Sequence, residues 1–262
     1  MNILNRIVSD KKREIILKKS VVSVAQLEAS DLFQTPTISL KKSLQKSKYG
    51  IIAEHKRRSP SKAIINQCLS LEEVVCGYEK AKVGGISVLT DSKYFGGSLE
   101  DMVLTRARVR IPILRKEFII DEYQILEAKA NGADAILLIA SILTKAEIKT
   151  LSEFAKAIGL EVLLEVHNQE ELEKSIMPSL DMIGVNNRNL DTFEVNLNTS
   201  RKLARLIPAE FLKISESGIS SAKDVIDLET VGFQGFLMGE NFMKTANPGE
   251  AAKKFIADLN AQ

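Results

Sequence analysis

Short apolar runs, rich in branched side chains, punctuate the chain at residues 50–54, 86–90, 111–116, 135–140, 160–166, 182–186, 211–215 and 235–239. They are continuous rather than alternating, the pattern of strands buried on both faces. Between them lie segments with helical periodicity and recognisable starts. Ser70 precedes "LEEVVCGYEKAK", Ser98 precedes "LEDMVLTRARV" and Asp121 precedes "EYQILEAKANG". Thr144 and Glu147 have the spacing of a capping box, and Asn247–Pro248 opens the last helix. Gly84, Gly132, Gly159 and Gly232 stand where helices end before the next strand.

Eight strands alternating with helices imply parallel βα units. The fold class read from this pattern is α/β, a closed (β/α)8 TIM barrel, with an open doubly wound sheet as the alternative. No G-x-G-x-x-G or Walker pattern opens any helix, which counts against the nucleotide-binding form of that alternative. Residues 1–45 precede the first strand and carry helical periodicity in "ILNRIVSDKKREIIL" and "SLKKSLQKS". Too short to fold alone, they read as a helical extension packed on the barrel. Residues 1–262 are therefore expected to form a single domain.

Composition narrows the function without identifying it. Of 262 residues, 45% are hydrophobic and 27% charged, enough apolar material for one large core. A net charge of +2 leaves no excess to neutralise a run of phosphates, so a nucleic-acid partner is not expected. The first 20 residues hold no uninterrupted apolar stretch, which argues against a signal peptide and a membrane span. Cys68 and Cys76 form no disulfide framework or metal-like cluster, which fits a reducing cytoplasm.

Polar residues fall at one end of the predicted strands. Glu54 and Lys56 end the first, Lys116 the third and Glu165 the fifth. Asn186 and Arg188 end the sixth, Glu216 and Ser217 the seventh, Gly239 and Glu240 the eighth. Residues two apart on an extended chain point the same way, so Glu54 and Lys56 project together. In a barrel, the carboxyl ends of the strands hold the chemistry. If these groups share a pocket, Glu54, Glu165 and Glu216 offset Lys56, Lys116 and Arg188. That balance makes burial tolerable and calls for no metal. Glycine turns at Ser217–Gly218 and Gly239 offer backbone N–H groups to a phosphate. Taken singly, each charge reads as an ordinary strand-end residue, and Arg57 and Arg58 read as solvated. His55 is expected to face away from the pocket, and His167 reads as structural or surface-lying. Desolvation is expected to lower the Lys116 pKa from the free value of about 10.4, with a glutamate opposing the shift.

With these residues in place, the chain closely resembles the indole-3-glycerol phosphate synthase family. The matching segments include "IIAEHKRRSPSK", "ISVLTDSKYFGGS", "PILRKEFIIDEYQI", "LEVLLEVHNQEEL", "IGVNNRNLDTFEVN", "ISESGI" and "FLMGENFM", in the family's order across essentially the whole chain. The resemblance implies ring closure of 1-(2-carboxyphenylamino)-1-deoxyribulose 5-phosphate to indole-3-glycerol phosphate, carbon dioxide and water, without a cofactor. It implies Lys116 as general acid, Glu165 as general base, Lys56 on the substrate carboxylate, Glu54 orienting Lys56, and Asn186 positioning substrate hydroxyls. Phe95, Phe118, Leu137, Leu190 and Leu237 would wall the aromatic ring. Ser59, Arg188, Glu216, Ser217, Gly218, Gly239 and Glu240 would form the phosphate end and polar rim, Glu240 through its backbone only. The loop Ser59, Pro60, Ser61 would close over the site, and the family leans towards monomers. The competing readings are another sugar-phosphate barrel enzyme working through a Lys116 Schiff base, and a catalytically silent barrel.

Overall fold

The computed structural model of the chain describes residues 3–60, 62–190 and 192–261, so Ser61 lies outside the described residues. Eight parallel strands close on themselves in chain order: β1 (Gly50–His55), β2 (Gly85–Leu89), β3 (Ile113–Lys116), β4 (Ala135–Ile139), β5 (Glu161–Val166), β6 (Met182–Asn186), β7 (Leu212–Glu216) and β8 (Gly235–Met238). β1 pairs with β8, with Ile51 opposite Phe236, so no sheet edge is left and the open-sheet alternative is eliminated. The third run loses its first two residues because Pro112 has no N–H for the ladder; its carbonyl instead accepts from the N–H of Ile86 at 2.9 Å.

Alternation along each strand builds two cores. Ile52, Leu114, Leu137, Leu163, Ile214 and Leu237 fill the barrel. Ile51, Ala53, Val88, Ile136, Leu138, Val185 and Phe236 point outward against the helices. Both faces are thus dry, which is why the runs read as continuous. The predicted caps form: Ser70 with Glu73 and Thr144 with Glu147 make reciprocal capping boxes, and Asn247 caps the helix Pro248–Asn260. Gly132, Gly159 and Gly232 take positive φ at helix ends. Gly84 does not: Lys82 occupies the left-handed position (φ 62°), and a Cβ at Gly84 would come within 2.8 Å of Leu44. Close approach, not helix termination, requires that glycine.

The N-terminal segment spans the barrel from one mouth to the other. Helix α1 (Ile3–Val21) buries the stripe Ile7, Lys11 and Ile15. Ile15 and Leu27, from α2 (Val24–Glu28), pack on Tyr123, Leu126 and Ala130 of the helix Glu122–Ala130. Helix α3 (Leu40–Gln45) plugs the amino-terminal mouth with Leu40 and Leu44, both fully buried, against Gly50, Gly84 and Gly85. At the other end, Ile7 joins the interior core.

Lys11 fixes α1 to the carboxyl ends of the strands. Its side chain is 2% exposed, and its Nζ lies 2.8 Å from Glu14, 2.9 Å from Asp91 and 3.2 Å from Glu117. Burial pushes this ammonium down, but Glu117 and Asp91 outweigh it and hold it above the usual lysine range. Asp91 also caps the short helix Ser92–Phe95, and Glu117 accepts from Thr90 at 2.8 Å. Replacing Lys11 by methionine strips the buried Asp91 of this cation and leaves Glu117 with Arg115 alone, at 3.8 Å. Breaking a buried pair in this way costs roughly 3–5 kcal/mol, so Lys11→Met should lower the urea midpoint accordingly. An unchanged midpoint would show that α1 docks by its apolar stripe alone.

Candidate active site

The carboxyl ends of the strands surround a cavity of about 300 Å³. Lys116 stands at its centre. Its Nζ lies 2.5 Å from Glu216 Oε2 and 3.2 Å from Glu165 Oε2. Lys56 Nζ lies 2.5 Å from Glu54 Oε1. The strand register brings these groups together: Ile139 pairs with Glu165, and Asn186 with Glu216, on neighbouring strands. Glu54, Glu165 and Glu216 are each at most 4% exposed.

Burial pushes the Lys116 ammonium down, yet Glu216, Glu165 and Glu54 together outweigh it and hold it above the usual lysine range. The expected lowering is therefore reversed, because three carboxylates rather than one face the amine. Burial raises the Glu165 carboxyl, but Lys116, then His167 and Asn186, bring it well below the carboxylate range. Burial likewise raises Glu54, and Lys56 and Lys116 bring it back below normal. Glu216 goes the other way. Burial and the neighbouring charges of Glu165 and Glu54 outweigh Lys116 and push it up to about 7. Three crowded carboxylates cannot all ionise cheaply, and Glu216 is the one that yields.

Opposite this cluster, the chain makes two tight backbone turns. Ser217 and Gly218 both adopt positive φ, 67° and 80°. For serine that conformation is uncommon, and Asn187 braces it: its amide donates to Ser215 Oγ, Glu216 O and Ser217 O at 2.9, 3.0 and 3.2 Å. At Gly239 a Cβ would come within 2.7 Å of Glu54 Oε1, so only glycine lets this turn approach the charged cluster. The Glu240 carboxylate pairs with Lys62 from the loop after β1. Ser59 and Lys62 exchange two backbone hydrogen bonds, at 2.8 and 3.0 Å. Arg188 donates to Phe193 O at 3.2 Å.

The third side is apolar. Phe95 and Phe118 meet with ring centroids 5.9 Å apart, and Leu137, Leu190 and Leu237 complete the wall. Every residue expected at the site thus lines this one cavity: Glu54, Lys56, Ser59, Phe95, Lys116, Phe118, Leu137, Glu165, Asn186, Arg188, Leu190, Glu216, Ser217, Gly218, Leu237, Gly239 and Glu240.

Other features escape a sequence reading. Ile3, Leu4 and Ile7 of α1 and Phe193 of the loop after β6 also line the cavity; the 3–7–11–15 spacing signals a buried face on α1 but not what it covers. Arg57 and Arg58 are half-buried and partnered rather than simply solvated. Arg57 grips Asp101 at 2.5 and 2.9 Å, and Arg58 donates to the carbonyls of Ser92 and Lys93 at 2.6 and 3.0 Å. They fasten the loop after β1 to the Phe95 segment. His55 is 3% exposed and does not line the cavity, and burial pushes it down to about 4. His167 contacts Glu165 directly, its Nε2 being 3.3 Å from Oε1.

Residues 4–255 match the family model described as indole-3-glycerol phosphate synthase. The chain is 48% identical over 255 residues to the indole-3-glycerol phosphate synthase of Bacteroides thetaiotaomicron, covering 97% of this chain and 98% of that one. It is 44% identical over 243 residues to that of Caldanaerobacter subterraneus, with coverages of 92% and 93%. Among solved structures, KGPDC from Streptococcus mutans superposes with a TM-score of 0.62 at 15% identity, over 82% of this chain and 99% of that one. A mutant tryptophan synthase alpha-subunit from Pyrococcus furiosus gives 0.59 at 16%, over 81% and 98%. These two likenesses concern the barrel alone.

A Glu216 pKa raised from 4.5 to about 7 means that the folded chain holds a proton the unfolded chain has released across that interval. Stability therefore falls as pH rises from about 4.5 to 7 and is unaffected by this group below that range. Glu216→Gln removes the effect, so its stability relative to the parent chain should be higher at pH 8 than at pH 5 in urea titrations. A pH-independent difference would mean that Glu216 titrates as an ordinary carboxylate.

Proposed function

This chain belongs to the indole-3-glycerol phosphate synthase family, and from that premise and the geometry above we propose how its own residues close the indole ring. The family's enzymes are carboxy-lyases of tryptophan biosynthesis, converting 1-(2-carboxyphenylamino)-1-deoxyribulose 5-phosphate to indole-3-glycerol phosphate, carbon dioxide and water, and that is the reaction of this chain. The observation that carries the assignment of roles is Lys116, an ammonium held charged by three carboxylates between an apolar wall and two glycine turns.

The substrate spans these three regions. Its phosphate lies against the N–H groups of Ser217–Gly218 and Gly239, with Ser59 and Arg188 at the rim. Glu240 contributes its backbone there, its carboxylate being neutralised by Lys62. The phenyl ring packs among Phe95, Phe118, Leu137, Leu190 and Leu237, and its carboxylate faces Lys56, which Glu54 holds in place. Asn186 orients the sugar hydroxyls.

As the aromatic carbon attacks the ketone, negative charge develops on the ketone oxygen. Lys116 stabilises that charge and delivers the proton. A lysine held above its ordinary pKa suits this work, because the oxygen becomes a strong base only in the transition state. The same property opposes Schiff-base chemistry, which needs a neutral amine. Loss of carbon dioxide restores electrons to the ring. Glu165, kept ionised, then takes the ring-carbon proton as hydroxide leaves with a proton from Lys56. The loop after β1 closes over the phosphate side and excludes water.

One chain supplies every group in this scheme, which supports a monomeric working unit. The whole chain acts as a single barrel domain, since α1 of the extension contributes Ile3, Leu4 and Ile7 to the cavity. Two free cysteines support a cytoplasmic setting. No helix among the described residues is long and apolar enough to cross a membrane.

General acid–base assistance is worth roughly 10²–10⁴-fold, so Lys116→Ala and Glu165→Gln should each lose at least that in kcat, read from indole fluorescence with the carboxyphenylamino sugar phosphate. Near-normal turnover in either variant would remove that residue from the mechanism. Borohydride with substrate should leave the chain unmodified; an adduct at Lys116 would favour a Schiff-base enzyme instead.

A further inference from the structure

His167 carries a feature that the scheme above does not use. It follows the last residue of β5 and turns back toward the pocket, its side chain 12% exposed. Nδ1 lies 3.0 Å from Glu171 Oε2, and the same oxygen accepts the backbone N–H of His167 at 2.8 Å. Glu171 is itself fixed: its other carboxylate oxygen accepts from Asn168 at 3.1 Å, and its N–H donates to Asn168 Oδ1 at 2.8 Å, at the start of the helix Gln169–Ser175. With Nδ1 committed to Glu171, the ring presents Nε2 to Glu165 Oε1 at 3.3 Å. That nitrogen is fully buried, near enough for an ion pair yet off the line of a good hydrogen bond.

Glu165 is thus held from two sides, with Oε2 facing Lys116 at 3.2 Å and Oε1 facing His167. The two partners are not equivalent during the reaction. Lys116 gives up its proton in the first half, and its positive charge goes with it. A carboxylate that is 4% exposed and has just lost its cation would take up a proton and cease to be a base. We propose that His167, steered by Glu171, is a positioning residue that keeps Glu165 ionised and aimed once Lys116 has been spent. The inference rests on the reading of Glu165 as the base for the later proton removal.

The surroundings fit a permanent cation at this point. Glu165 and Glu171 flank the ring, and Lys174, the nearest cation on the same helix, is bound to the carbonyls of Ala140 and Leu143 instead. Burial pushes the imidazole down, but the charges of Glu165 and Glu171 and the hydrogen bond with Glu171 outweigh it and raise it to about 10. Glu165 in turn meets Lys116 from β3, Asn186 from β6, and the charge of Glu54 from β1 and Glu216 from β7. Among these, His167 alone is a cation that takes no part in the proton transfers.

The test begins with the intact enzyme. It has two histidines. In the ¹⁵N spectrum of imidazole-labelled protein at pH 7.5, one ring should be doubly protonated and the other neutral, His167→Gln removing the former signal. Steady-state kinetics on His167→Gln should then show kcat lower by roughly 10- to 100-fold, the range that a misplacement of about 1 Å produces, with KM nearly unchanged. The acidic limb of the kcat–pH profile should move up by about 1–3 units, the size of losing one adjacent opposite charge. Glu171→Gln should shift the limb in the same direction by less. Two neutral rings in the wild-type spectrum would overturn the proposal whatever the variants do, and so would a His167→Gln profile superposing on the parent's. Glu165→Gln, run alongside, separates the two layers. If it stays active, the base assignment itself is wrong; if it is dead while His167→Gln is normal, only the role of His167 fails.

Discussion

Everything at this mouth of the barrel depends on one electrostatic constraint: a lysine buried among three carboxylates. Glu216, Glu165 and Glu54 hold Lys116 as the ammonium, and crowding among the carboxylates pushes Glu216 up to about 7. The arrangement resolves itself by splitting the carboxylates into types. Glu54 and Glu165, each with additional cations or donors, stay ionised, while Glu216, with one oxygen buried and unpartnered, carries the strain of the cluster near neutral pH. An acid and a base can then coexist 3.2 Å apart without cancelling each other permanently.

The scaffold makes that constraint tolerable. Parallel strands with both faces dry give a rigid cylinder, and Glu54, Lys56, Lys116, Glu165 and Glu216 are the last or next-to-last residues of their strands or the first of the following loop. Two backbone devices stand beside the charged cluster: the double left-handed turn at Ser217–Gly218, locked by Asn187, and the bare backbone of Gly239 beside Glu54. Both decide where N–H groups point.

Much of this was legible in the sequence, for physical reasons. Continuous branched runs can only be doubly buried strands, and polar residues gathered at their carboxyl ends have one place to converge. The closed barrel and the polar rim of the pocket follow from those two facts, while its apolar wall was implied by the family resemblance. What stayed hidden required knowing partners far apart in the chain. Arg57 and Arg58 look solvated because the one acidic residue near them in sequence, Glu54, is taken by Lys56, whereas Asp101 and the carbonyls of Ser92 and Lys93 are brought to them by the fold. The direction of the Lys116 shift depends on how many carboxylates reach it, which no local pattern states. His167 looked structural because a lone histidine usually is, and its contact with Glu165 depends on the ring turning back along its own strand end.

The attachment of α1 has one further consequence, for the order of assembly. Of the three acidic partners of Lys11, Glu14 lies on α1 itself, whereas Asp91 and Glu117 stand at the ends of β2 and β3. As the polypeptide is synthesised, α1 emerges before either exists, so of these partners only Glu14 is at hand for Lys11. The helix can settle only after residue 117 has left the ribosome. Helix α1 is therefore fastened by parts of the chain made after it, and the wall it gives the pocket is in place only once they are.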